Sequence, residues 1–417
     1  MEKIYDVVII GAGPAGLSAG IYASRARLKT LVIEKKTPGG QAASTEHLEN
    51  YPGYFQQGNG AGLMKKMKEH ASHFGCLFVK DEVCDVKIGQ DLKILQGKKG
   101  EYAARTLIVA VGSQPRTLGV AGEEELTGKG VSYCATCDAD LFQDLDLVVV
   151  GSGNAALEEA LYLARFAAQV AVISVHSQGN LDAEGVIRER ALEHPRIRFI
   201  WESMVEEIRG GDSVEAVVLK DLKTGRHKSV KTDGVFIYIG SVPQTEFLRS
   251  LLELPGSGHI PTNEKMETQL AGVFAAGDVR QKPLRQVVTA VADGAVAAVA
   301  ADEYIHQHRY YREQIQGRDR PLALFFWSPR DKDSVDMIPV AEDFAAAHSG
   351  QFDFLKICVD RGHLVVDKFE VDSVPQLVFV HREDVVARVS GRLAPSRLEK
   401  ILTKLPGGKT NAGNSQG

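Results

Sequence analysis

Short apolar runs give the chain its frame. Asp6-Val7-Val8-Ile9-Ile10, Thr30-Leu31-Val32-Ile33, Leu147-Val148-Val149-Val150 and Gln169 to Ser174 are β-branched or apolar on both faces. That is the pattern of parallel strands buried inside a sheet. An alanine-rich helical stretch separates the members of each pair, Leu17 to Arg25 in the first and Leu157 to Phe166 in the second. Another strand is predicted within Leu270 to Val279, with a long alanine-rich helix from Arg285 to about Ile305 behind it. A polar, charge-rich stretch from Tyr310 to Arg320 then reads as a linker. Beyond it the order changes: a strand Pro321 to Trp327, a helix Val340 to Ser349, a strand Asp353 to Val359, a strand Gln376 to Val380 and a helix Ser396 to Leu405. Val374-Pro375 is predicted to be a cis step. The Gly/Asn/Lys/Ser-rich tail, 407–417, is predicted to be disordered.

The loops behind the first strands carry chemistry. Gly11-Ala12-Gly13-Pro14-Ala15-Gly16 joins strand to helix, and Glu34 ends the next strand. Glycine is needed there for a tight turn, for close approach of backbone to a pyrophosphate, and for helix–strand packing. The acid about twenty residues on can accept hydrogen bonds from a ribose hydroxyl. Gly151-Ser152-Gly153-Asn154-Ala155-Ala156 is a second copy, with Ala156 at the third glycine position. A lone glycine motif is weak; strand, glycines, helix and strand in register are strong. Asp278, at the carboxyl end of its strand, reads either as a ligand of polar ribityl groups or as an ordinary helix cap.

Between the two copies lies Cys134-Ala135-Thr136-Cys137-Asp138. Two cysteines two residues apart can close a reducible ring or supply half of a zinc site. Cys76, Cys84 and Cys358 form no second such pair, which favours a redox dithiol and no metal. Asp138 is placed to supply or hold a proton when the ring opens. A dithiol flanked by two dinucleotide sites implies a relay from nicotinamide to flavin to disulfide, because a nicotinamide gives up a hydride and a dithiol exchanges electrons through sulfur.

Composition narrows the setting. A chain of 417 residues is too long for one core. Its net charge of −5, with no strong basic block, disfavours nucleic acid and anionic membranes as partners. No apolar run reaches bilayer length, the N-terminus enters a strand without a signal peptide, and five cysteines make no disulfide scaffold. A cytoplasmic setting is expected.

Residues 1 to about 308 resemble the bacterial-type, low-molecular-weight thioredoxin reductases. The resemblance rests on Gly11 to Gly16, Gly39-Gly40-Gln41, Glu49-Asn50-Tyr51-Pro52-Gly53, Cys134 to Asp138, and Gly277-Asp278-Val279 with Arg285-Gln286. It implies an α/β chain with two Rossmann-like domains: an FAD domain, 1–115 and 246–308, split by an inserted NAD(P)-type domain, 116–245. It implies catalysis by Cys134 and Cys137 with Asp138 as general acid, a homodimer, and a swing of the inserted domain. FAD is expected at Gly11, Gly13, Pro14, Ala15, Gly16, Glu34, Gly40, Gln41, Asn50, Gly112, Gly277, Asp278, Arg285, Gln286 and Val287. The nicotinamide nucleotide is expected at Gly151, Gly153, Asn154 and Ala155. The order in which the two cysteines attack a substrate stays open.

The chain departs from that family twice. Where the family has arginines that grip the extra phosphate of NADPH, this chain has Ser174-Val175-His176-Ser177-Gln178-Gly179-Asn180-Leu181-Asp182-Ala183. No arginine remains, and Asp182 would repel a phosphate. Arg188 and Arg190 on the next helix are the available substitutes. NADH is therefore expected ahead of NADPH, with a non-nicotinamide donor, such as a reduced iron–sulfur protein or a free flavin, as the alternative. The second departure is a C-terminal extension, 320–406 after a linker at 309–319, that is similar to the thioredoxin fold in Trp327, Val374-Pro375 and Gly391. Its two cysteine positions fall at about Asp331 and Ser334, and Phe325 replaces the buried acid. Without thiols it cannot exchange disulfides, and Cys358 is expected to be a small core residue. The disulfide substrate is then a separate thioredoxin-like protein. The extension is a docking module or an inert fusion, and a redox sensor or adaptor is the alternative function.

Overall fold

The computed structural model describes residues 3–405 except 46, 47, 49, 55–58, 90, 362, 393, 403 and 404. Glu49 and the expected tail lie outside the described residues. The chain divides into two compact units, Met1–Ala301 and Asp302–Gly417.

In the first unit β1 (Ile4–Ile10) runs into α1 (Pro14–Arg25) and β2 (Thr30–Glu34). α2 (Gly60–His73), β3 (Leu77–Lys80), β4 (Val83–Ile88), β5 (Lys93–Gly97) and β6 (Glu101–Val109) follow. The sheet order is β3-β2-β1-β6-β5-β4, parallel from β3 to β6 and antiparallel beyond. Val7, Val8 and Ile9 of β1 are fully buried, as a central parallel strand requires.

The chain leaves this lobe through β7 (Ser113–Pro115). The inserted lobe contains β8 (Val131–Ser132), α3 (Ala135–Asp138), β9 (Asp146–Val150), α4 (Asn154–Leu163), β10 (Gln169–Ile173), α5 (Gly185–Glu193) and β11 (Ile197–Ile200). An antiparallel sheet of β12 (Ser203–Gly210), β13 (Val214–Asp221) and β14 (His227–Lys231) follows, and then β15 (Gly234–Ile237). The parallel order β11-β10-β9-β15-β8 places the dithiol helix at one edge of the sheet. The chain returns through β16 (Ser241–Pro243), which pairs antiparallel with β7, so two short connectors join the lobes. β17 (Val273–Ala275) then adds to the second half of β6, and α6 (Val287–Gln314) begins.

Close backbone contact sets this geometry. A Cβ at Gly16 would stand 1.9 Å from the Gly11 carbonyl oxygen, and one at Gly294 of α6 would stand 2.0 Å from that of Ala15. Only glycine lets α1 sit on its own loop and α6 lie against α1.

The second unit has its own four-stranded sheet, β19-β18-β20-β21, from β18 (Leu322–Trp327), β19 (Asp353–Cys358), β20 (Gln376–His381) and β21 (Asp384–Ser390). Its helices are α7 (Lys332–Ala347), α8 (His363–Lys368) and α9 (Pro395–Leu402). Val374–Pro375 is cis. The expected linker is not one. α6 continues to Gln314, and Tyr311 and Ile315 are buried with Leu322, Leu324 and Phe326. Tyr311 also donates to Glu383 at 2.5 Å, with Lys368 over its ring. α7 starts eight residues earlier than expected, because Asp331 caps it and the helix passes through Pro339.

Gly294→Val should force α6 off α1 and lower stability by about 2–3 kcal/mol, the usual range for overpacking a tight contact. Thermal denaturation followed by circular dichroism reads this directly. An unchanged midpoint would mean that the two helices do not depend on this approach.

Candidate active site

The FAD expectations meet at one edge of the large sheet. Gly13 caps α1 without a side chain, Pro14 occupies its first turn, and the first N–H groups are left for a ligand. A Cβ at Gly13 would have only Gly40 Cα, at 3.9 Å, within reach, so the cradle above the loop is open. Glu34 Oε2 accepts the Ala12 N–H and Oε1 that of Lys36, both at 2.8 Å. Each oxygen keeps a lone pair for a ribose hydroxyl. The Gln41 amide donates to the Ser113 carbonyl. Gly112 and Gly277 have φ of +70° and +81°, and a Cβ at Gly277 would meet that of Ala15 at 2.9 Å.

Asp278 is the informative side chain. Its Oδ1 is buried without a hydrogen bond, and Lys282 Nζ, at 3.6 Å, is too far to supply one. Burial pushes its carboxyl above the usual carboxylate range. A buried acceptor left unbonded wants a polyhydroxyl ligand more than it wants to be a cap. Arg285 Nε, just before α6, is likewise buried and unbonded. Behind them Asp293 accepts the Gly277 N–H and binds Arg280 and Lys282. This set of donors and acceptors fits FAD, and no feature of it opposes FAD.

The dithiol lies in the other lobe. Cys134 and Cys137 form a disulfide with their Cα atoms 5.3 Å apart, and Cys134 caps the short helix α3. The Ser132 hydroxyl donates to Asp138 Oδ2 at 2.6 Å and accepts the Cys134 N–H at 3.0 Å, so the acid is tied to the dithiol backbone through a serine. The Ala135 N–H donates to the Tyr238 hydroxyl oxygen at 2.5 Å. Burial pushes the Tyr238 phenol upward, and nearby Glu159 adds to the shift. Glu159, on α4, has a buried Oε2 with no hydrogen bond, and burial pushes its carboxyl up to about 7, with Glu158 contributing.

One contact joins the lobes at this point. Gln286 Nε2 donates to Thr136 Oγ1 at 2.8 Å and lies 3.7 Å from Cys134 Sγ. Its Oε1 accepts from Asn50 Nδ2 at 3.0 Å. Gln286, expected at the cofactor, thus reaches the disulfide, and Asn50, expected there too, holds Gln286.

The second glycine loop, in the inserted lobe, is open at Gly153. No atom lies within 4 Å of a Cβ built at Gly153, while Gly151, at φ +141°, could not carry one against the Tyr238 carbonyl. Asn154 begins α4 with its Oδ1 accepting from the Glu184 N–H, and Ala155 is exposed beside it. Asp182 comes back to this loop. Its Oδ2 accepts from the Ser152 hydroxyl at 2.7 Å and lies 2.9 Å from His176 Nε2. Those bonds hold its carboxyl below the usual range.

Ser132, Thr136, Tyr238 and Glu159 were not expected at the site. Tyr238 and Glu159 are brought there by the β9-β15 pairing and by α4, over a separation no local pattern reports. The other cysteines lie elsewhere: Cys76 is buried with its thiol pushed up to about 11, Cys84 is exposed, and Cys358 is half-buried at the end of β19 rather than in the core. In the second unit Asp331 caps α7 by accepting the Ser334 N–H at 2.6 Å, Ser334 is fully buried, and so is Phe325.

Residues 5–294 match the family model for pyridine nucleotide-disulphide oxidoreductases, and residues 303–404 match that for thioredoxin. The chain belongs to the pyridine nucleotide-disulphide oxidoreductase family and carries a C-terminal thioredoxin domain. Several of the proteins it is similar to are named thioredoxin reductases. That of Peptoclostridium acidaminophilum is 46% identical over 311 residues, covering 73% of this chain and 98% of that one. That of Bacillus subtilis is 46% identical over 307 residues, covering 73% and 96%. The solved thioredoxin reductase of Streptococcus pyogenes, 42% identical, covers 73% of this chain and 99% of its own with a TM-score of 0.69. That of Lactococcus lactis in its FR conformation, 41% identical with the same coverage, gives 0.51.

Glu159 ionises near 4.3 in an unfolded chain and near 7 here. Its raised value makes folding less favourable as pH climbs from about 4.5 to 7, and the cost is absent below that window. Glu159→Gln should therefore melt with wild type at pH 4.5 and about 3 °C above it at pH 8. Parallel melting curves at both pH values would show that the carboxyl is solvated.

Proposed function

We propose that the chain is an FAD-dependent disulfide reductase that takes electrons from NADH and delivers them through Cys134 and Cys137 to a separate thioredoxin-like protein. The observation that carries this reading is the disulfide contacted by Gln286, which leads into the same helix as the buried, unbonded Asp278 and Arg285. FAD, when bound, converts hydride chemistry to sulfur chemistry. The chain's own residues do the rest. The bare start of α1 and Gly40 take the pyrophosphate, Glu34 the ribose and Asp278 the ribityl hydroxyls. Asp138, steadied by Ser132, supplies the proton when the disulfide opens and takes it back when the dithiol reduces its partner.

The disulfide cannot both face Gln286 and meet a protein substrate, so the inserted lobe is read as moving about β7 and β16. Two relatives of 42% and 41% identity that superpose on this chain at 0.69 and 0.51 support such a motion. Exposed Tyr22 on α1 and Val296 and Val299 on α6 offer an apolar face for a homodimer. Three unpaired thiols fit a reducing, cytoplasmic setting.

The preference for NADH rests on Asp182. It stands past the carboxyl end of β10, where the adenosine ribose is read, with Oδ2 committed to Ser152 and His176 and Oδ1 left to accept from a ribose hydroxyl. An ionised carboxylate there opposes a 2′-phosphate. The thioredoxin domain takes no part in exchange, because Asp331 and Ser334 replace its thiols.

Anaerobic titration of the flavin with NADH, NADPH and dithionite tests the donor. NADH should exceed NADPH in kcat/KM by about 100-fold, and Asp182→Arg should close that gap by about tenfold, the worth of one charged contact. Reduction by NADPH at low micromolar concentration sinks the proposal, and reduction by dithionite alone points to a non-nicotinamide donor. Cys134→Ser and Cys137→Ser should each cut thioredoxin turnover by roughly three orders of magnitude or more while NADH still bleaches the flavin. Turnover surviving either change would place the exchange elsewhere.

A further inference from the structure

Gln286 is held for a purpose that binding a cofactor does not explain. Its backbone is fixed at the start of α6: its carbonyl accepts the Ala290 N–H at 2.9 Å, and its N–H donates to Thr289 Oγ1 at 3.2 Å. Its side-chain oxygen accepts from Asn50, which fixes the orientation of the amide. The NH2 end must then point at α3, where one hydrogen can serve Thr136 Oγ1 and the other Cys134 Sγ. Thr136 Oγ1 itself lies 3.5 Å from Cys134 Sγ. Cys137 has no comparable donor among the described residues.

A disulfide sulfur accepts hydrogen bonds poorly and a thiolate accepts them well. Donors already aimed at Cys134 are therefore worth little before the S–S bond breaks and more afterwards, the difference that favours a reaction. We propose that Gln286, oriented by Asn50 and joined by the Thr136 hydroxyl, stabilises the thiolate of Cys134 and so directs opening of the disulfide. Two electrons enter the pair from its dithiol or flavin reductant, which is oxidised. The S–S bond breaks, Cys134 keeps the electron pair as thiolate, and Cys137 takes one proton and becomes the thiol. The proposal rests on the dithiol being the redox group, and its test needs neither NADH nor thioredoxin.

In a Cys137→Ser background, the pH dependence of Cys134 alkylation by iodoacetamide, followed by peptide mass spectrometry to separate it from Cys76, Cys84 and Cys358, reads the thiol directly. Gln286→Leu should slow alkylation at pH 7 by three- to tenfold and move the midpoint upward. Gln286→Glu should move it further, by like charge. Thr136→Val should act in the same direction and Thr136→Ser should restore the wild-type profile. In the two-cysteine protein, Gln286→Leu should shift the equilibrium with dithiothreitol toward the disulfide by the same factor, where tenfold corresponds to about 30 mV. Flavin content measured on the same samples separates a lost cofactor from a lost hydrogen bond. Unchanged alkylation midpoints and an unchanged equilibrium in the flavin-replete variants overturn the proposal. So does an equal shift at Cys137 in a Cys134→Ser background, since that would be general loosening.

Discussion

The approach of Gly294 in α6 to the Ala15 carbonyl in α1 is the contact on which the site depends. Because no side chain stands between these helices, both begin at the same edge of the sheet. One helix presents bare N–H groups; the other presents Asp278, Arg285 and Gln286 from the segment leading into it. Neither helix could make this cleft alone. With α6 displaced by the width of a methyl group, Asp293 would carry the Gly277 N–H, and Asp278 beside it, away from Ala15 of α1. Gln286 would also lose its reach to Thr136.

The second glycine loop follows the same physics with a different outcome. Around the first site Asp278 Oδ1 and Arg285 Nε are left unbonded; at the second loop the polar side chains have found each other. Asp182 takes bonds from Ser152 and His176, so this loop is braced before any nucleotide arrives. Bracing orders this loop at small cost, since all three groups are partly exposed, and it leaves the Asp182 carboxylate on the loop.

The strand–glycine–helix units, the dithiol and the thioredoxin-like extension were legible because each is a local pattern. Gly11 to Gly16 and Cys134 to Cys137 signal within six residues. What was hidden depends on distance along the chain: Ala135 to Tyr238 spans 103 residues, and Thr136 to Gln286 spans 150. Two local readings also failed for physical reasons. Tyr311 and Ile315 stand four apart in a charged stretch, one apolar pair being too little to announce a helix. The helix expected from Val340 begins at Lys332 and runs through Pro339, because Asp331 already caps it.

That cap also explains how the extension keeps its fold without its chemistry. The position that holds an attacking cysteine in a thioredoxin-like fold is a helix N-terminus, where a thiolate is favoured for the same reason that a carboxylate is. Asp331 answers the structural demand of that position better than a cysteine does, bonding the Ser334 N–H and hydroxyl together. Phe325 fills with carbon the place where an ionisable group would serve a buried thiol. Each replacement suits packing and removes reactivity, so the domain can be stable and inert at once. Among the described residues, Cys134 and Cys137 are then the cysteines paired for exchange, while Cys76, Cys84 and Cys358 stand outside any disulfide.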